Sequence, residues 1–127
     1  MKLTTISILV VLVLAVAILA QDQKKDPCAN AQSQAEMTMC WGKEYKAADA
    51  KLNKTYQDFM SKLDESEKVQ LKSAQQAWLK YRDLNCEFVA DQYKGGTMRP
   101  MIEAMCLADV TNARVSELKS QIKDREP

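Results

Sequence analysis

Four cysteines carry the most definite chemistry in the chain: Cys28, Cys40, Cys86 and Cys106. In a short exported polypeptide an even count reads as two disulfides. Zinc is the rival reading. It fails because no two cysteines stand at the close spacing of a zinc knuckle and the chain has no histidine. A cysteine nucleophile fails for the same lack of a basic partner. The acids Glu44, Asp49, Asp83 and Glu87 offer paired carboxylates, but glycosidic chemistry needs one of them raised in pKa within a cleft. A small helical domain has little room for one. Six methionines fall into two groups, Met37, Met39 and Met60, then Met98, Met101 and Met105. Grouped thioethers outside the cytoplasm can hold cuprous copper, yet methionine is more often an adaptable core filler. No cofactor or resident metal is expected.

Two further groups suit binding. Asp49 and Arg82 form an opposite-charge pair with Asn53 nearby; the pattern fits a partly buried ion pair that fixes helix register. The stretch Tyr93-Lys94-Gly95-Gly96-Thr97-Met98-Arg99 is glycine-flexible and has a cation near each end. It reads as a helix-capping turn. It also reads as a contact loop, because Lys94 or Arg99 could bond the carboxylates of an acidic cleft.

These residues need elements to hold them. After Lys2, Ile6 to Leu19 is apolar apart from Ser7, and small Ala15, Ala17 and Ala20 precede a polar run. That is the layout of a signal peptide over residues 1–20, too short in its apolar core for a comfortable membrane span. The expected mature chain, from residue 21, suffices for one domain. It has balanced charge once Lys2 is gone, which offers nothing to nucleic acid. Residues 21–32 read as a polar arm, and residues 33–123 as the folded domain.

Apolar residues three and four apart mark three helices. The first runs over about residues 33–63 with the stripe Trp41, Tyr45, Ala48, Leu52, Thr55/Tyr56, Phe59 and Leu63. The second runs over about 67–93 with the stripe Leu71, Ala74, Trp78, Tyr81, Leu84/Asn85 and Phe88. The third runs over about 99–123 with Met101/Ile102, Met105, Ala108, Asn112, Val115, Leu118 and Ile122. Short connections make successive helices antiparallel. The expected fold is therefore all-α, a small antiparallel three-helix bundle with two disulfides. This register puts Asp49 level with Arg82, Asn53 level with Trp78, and Cys86 level with Cys106. It favours Cys86–Cys106 with Cys28–Cys40, while a modest shift would permit Cys40–Cys86, so all three connectivities stay open. Asn53-Lys54-Thr55 matches a glycosylation sequon but falls mid-helix.

The skeleton reads Cys28, Gln34-x-Glu36, Cys40, Tyr45, Ala48-Asp49, Leu52-Asn53, Tyr56, Leu71, Gln75, Trp78-x-x-Tyr81-Arg82-Asp83, Cys86, Gly95, Cys106, Thr111, Arg114 and Leu118. Over about residues 28–120 it resembles the LprI-type lysozyme inhibitor domain family, a group of exported bacterial helical proteins. The resemblance implies a disulfide-bearing helical domain outside the cytoplasm, periplasmic or secreted, whose partner is a protein and which inhibits lysozyme without being an enzyme. Occlusion of the lysozyme active site is the expected mechanism. The alternatives are an adaptor domain of the cell envelope and, less favoured, a copper-binding domain.

Overall fold

The computed structural model describes residues 25–126; the expected signal peptide at 1–20 lies outside them. Helix α1 spans Gln34–Met60, α2 spans Glu65–Ala90, and α3 spans Arg99–Lys123; a single 3-10 turn, Asp91–Tyr93, follows α2. The boundaries follow local chemistry. Ser33 caps α1 by accepting from the Glu36 N–H, while the Glu36 carboxylate reaches back to the Gln32 N–H at 2.8 Å. Asp64 and Glu67 form a reciprocal capping box at the start of α2. The second helix therefore begins two residues before the expected Glu67. Pro100 sits in the first turn of α3, where its missing N–H costs nothing.

The helices run up, down, up. Gln34 Nε2 reaches Met101 Sδ at 3.2 Å near the starts of α1 and α3, and Lys62 meets Glu126 at 3.5 Å just past their ends. So α1 and α3 are parallel, and α2 runs against both. The pair α1–α3 packs most intimately. Small buried residues, Ala48 and Thr55 on α1 and Ala108 and Thr111 on α3, allow the close approach. By contrast, the backbones of α1 and α2 scarcely approach each other although they are consecutive. Tyr45, Trp78 and Arg82 stand between them.

Apolar packing divides into two clusters. One, around Leu52, Phe59, Leu63, Leu71, Val115 and Leu118, fills the end at the α1–α2 turn. The other, around Cys28, Trp41, Met101, Ile102 and Ala108, fills the opposite end. The bridges are Cys28–Cys40 and Cys86–Cys106, and both lie at that second end. No helix among the described residues is long and apolar enough to cross a membrane.

The expected apolar stripe of α2 is corrected. Its buried residues are Leu71, Gln75, Arg82, Cys86 and Ala90, while Ala74, Tyr81, Leu84 and Phe88 are exposed. The helix is rotated so that Cys86 can reach Cys106, and Gln75 and Arg82, on the same line, turn inward with it. A smaller rotation on α3 buries Thr111 where the periodicity pointed to Asn112.

Candidate functional site

Arg82 lies at the middle of the molecule. Its side chain is 8% exposed and bonds Asp83 through Nε at 2.8 Å and Asp49 through Nη1 at 3.3 Å. Its guanidinium also lies 5.5 Å from the ring centres of both Tyr45 and Trp78. Burial alone pulls its pKa down, but the Asp83 hydrogen bond, the Tyr45 phenol and the Asp49 hydrogen bond outweigh that and raise it. The charge is thus held, desolvated but fully paired. Asn53 donates to Asp49 at 3.4 Å. The register expected from the sequence brings Asp49 and Arg82 together.

A second buried guanidinium, Arg114, belongs to the family skeleton but was given no role from the sequence. Arg114 donates to Gln75 at 3.1 Å, pairs with Glu117 at 2.8 Å and lies 5.7 Å from the Trp78 ring centre. Trp78 therefore receives two guanidinium groups, one from its own helix and one from α3. The signal was available: counted from the Gly95–Gly96 turn, Gln75 and Arg114 fall almost level, as Cys86 and Cys106 do.

Burial raises the Tyr45 phenol pKa above its ordinary value of 10.0, the Arg82 charge opposing and the Asp49 and Asp83 charges adding to the rise. Below pH 10 the phenol is neutral in both folded and unfolded chains. Above it the unfolded chain releases its proton first, so stability falls as pH climbs toward the raised folded value. Thermal unfolding between pH 9 and 11 should show this loss. Tyr45→Phe should flatten the slope; an unchanged slope would place the titration elsewhere.

The loop between α2 and α3 is tightly fixed. Gly95 takes φ +84°, a left-handed conformation that favours glycine. The Gly96 N–H returns to the Tyr93 carbonyl at 2.9 Å. Arg99 does not protrude. It places Nε and Nη2 on one Asp91 oxygen at 3.0 and 2.9 Å and Nη1 on Glu103 at 2.8 Å. The Asp91 hydrogen bond raises the Arg99 pKa against the opposing effect of burial, with Glu103 adding its charge to the rise. Lys94 remains at the exposed tip with Tyr93 and Met98, each 39% exposed.

The other candidate groups scatter. Met101 is buried, Met37, Met105 and Met60 pack partly buried against the two clusters, and Met39 and Met98 are exposed. Among the described residues, no group of three or more cysteine, aspartate or glutamate side chains is placed to hold a metal ion. Three open grooves, of about 390, 250 and 200 Å³, are lined by none of Glu44, Asp49, Asp83 or Glu87.

A family model described as lysozyme inhibitor LprI matches residues 26–118. An uncharacterized protein of Rhizobium meliloti (strain 1021) is 36% identical over 121 residues, spanning 84% of this chain and 87% of its own. No solved structure matches. The matched segment contains both disulfides, the Arg82 centre and the 94–98 loop.

Proposed function

The chain belongs to the LprI lysozyme inhibitor family, and on that premise we propose that it acts outside the cytoplasm, periplasmic or secreted, as a stoichiometric inhibitor that occludes a lysozyme active site through the 94–99 loop. One observation supports this choice of surface. Both disulfides, the left-handed Gly95 and the Arg99–Asp91 clamp gather at the end of the bundle that presents Lys94. A loop held in one shape before binding loses less entropy when it binds. Lysozyme clefts carry catalytic carboxylates, and Lys94 offers a cation to them at an exposed tip flanked by Tyr93 and Met98. Arg99 contributes by holding the loop against the α2 terminus. Gly95 and Gly96 supply its turn. The proposed contact is stoichiometric and involves no turnover of substrate.

The test is clearance of a peptidoglycan suspension by c-type, g-type and i-type lysozymes with the oxidised protein titrated in. Inhibition should saturate near one-to-one stoichiometry against at least one class. Lys94→Glu should weaken it by at least about tenfold, since a repulsive charge replaces an attractive one. The double variant Lys94→Ala with Arg99→Ala should abolish it. Full inhibition by both variants would remove the loop from the mechanism. No inhibition of any class would move the partner to another envelope protein.

A further inference from the structure

The outer face of α2 carries an apolar seam that the described chain leaves uncovered. Ala77, Tyr81, Leu84 and Phe88 recur four, three and four residues apart, the spacing of a heptad seam. Tyr81 is 58% exposed, Leu84 55% and Phe88 74%. At 100° per residue the seam lies roughly 150° from the Gln75–Arg82–Cys86 face that packs on the bundle. A partner helix can reach it without meeting α1 or α3. Single exposed apolar residues are ordinary, but a line of them over three turns marks a contact surface.

The seam and its flank are self-complementary. Consider two copies of α2 run antiparallel about a two-fold axis between residues 82 and 83. Tyr81 of each then packs on Leu84 of the other, and Phe88 packs on Ala77, large against small. Lys80 and Glu87 are both exposed and border the seam on its side away from the bundle. Neither forms an ion pair with another described residue. In the antiparallel pairing Lys80 of each copy comes opposite Glu87 of the other, giving two symmetric ion pairs. A parallel pairing would set those charges against neutral Asn85 and Gln92.

We propose that the Ala77–Tyr81–Leu84–Phe88 seam is the interface of an antiparallel homodimer, with Lys80 and Glu87 fixing its direction. The arrangement is isologous and closed, so it stops at two copies. The two Lys94 loops then point away from each other, roughly 35 Å apart along the helix axes, and stay accessible. The dimer is thus independent of the inhibitory contact.

Sedimentation equilibrium of the oxidised protein, from about 5 µM to 500 µM, tests this. Wild type should reach the mass of two chains. Leu84→Asp should stay at one, with dimerisation weakened at least about 100-fold because the interface would bury an unpaired carboxylate. Its far-UV spectrum should be unchanged, as the site is solvent-facing. Lys80→Glu should weaken the dimer about tenfold, and adding Glu87→Lys to it should restore the dimer. A monomer at every concentration overturns the proposal. So does a dimer indifferent to Leu84→Asp and to the charge reversal. Loss of lysozyme inhibition in Leu84→Asp without any dimer in the wild type would give the seam to lysozyme instead.

Discussion

Replacing Cys86 and Cys106 together by alanine should lower the melting temperature by about 12–24 °C. The bridge spans 20 residues, a closure worth about 3 kcal/mol through the unfolded chain, and each kcal/mol moves a domain of this size by about 4–8 °C. The variant is also expected to lose inhibition at 25 °C, where it remains folded. The bridge closes the segment that contains Gly95, Gly96 and Lys94, so its removal frees α2 and the start of α3 to separate there. Circular dichroism melting and the peptidoglycan clearance assay read the two effects separately. A shift under about 2 °C would show that the Gln75–Arg114 contact and the Arg99 clamp hold the hairpin without help. Alanine at Cys28 and Cys40, whose bridge spans 12 residues and lies outside the loop, should cost less stability and little inhibition.

The second large effect is expected from Trp78→Ala. The ring packs against the apolar cluster at the α1–α2 end and lies under both the Arg82 and the Arg114 guanidinium groups. Its removal should cost about 3–5 kcal/mol, from lost burial, an unfilled space, and two cations left without the ring. That is a large share of the stability of a domain this small. Trp78→Phe keeps a ring in place and should cost about 1–2 kcal/mol. Urea unfolding followed by circular dichroism measures both. Near-equal stability of Trp78→Ala and the wild type would mean that α2 is held by its disulfide alone.

Much of this architecture was legible. The stripe from Trp41 to Leu63 faces inward as its spacing indicates. The turn positions brought Asp49 to Arg82 and Cys86 to Cys106, because in an antiparallel pair register follows from where the turn is centred. The rotation of α2 was hidden, because periodicity weighs side chains by hydrophobicity. It therefore sees Tyr81, Leu84 and Phe88 and overlooks Gln75 and Arg82. Arginine is not costly to bury when two carboxylates and two aromatic rings meet it, and a sequence pattern does not register that compensation. Arg99 shows the same gap. Its charge suggested an outward contact, but Asp91 lies one turn beyond Cys86 and Glu103 one turn into α3, so the side chain has two internal partners at hand. The scattered methionines were legible as core filler in part: Met37, Met60, Met101 and Met105 pack, and Met39 and Met98 do not.

The two turns would respond very differently to a cut by a protease. Each disulfide joins cysteines on the same side of the Ser61–Asp64 turn: Cys28 and Cys40 before it, Cys86 and Cys106 after it. A single nick there leaves two fragments with no covalent link. A nick between Lys94 and Met98 falls inside the ring closed by Cys86–Cys106, so both products stay tethered about two turns from the break. The loop proposed to meet lysozyme would survive cleavage as a single molecule, and the turn at the other end, exposed at Ser61, Lys62 and Asp64, is the one whose scission releases the pieces.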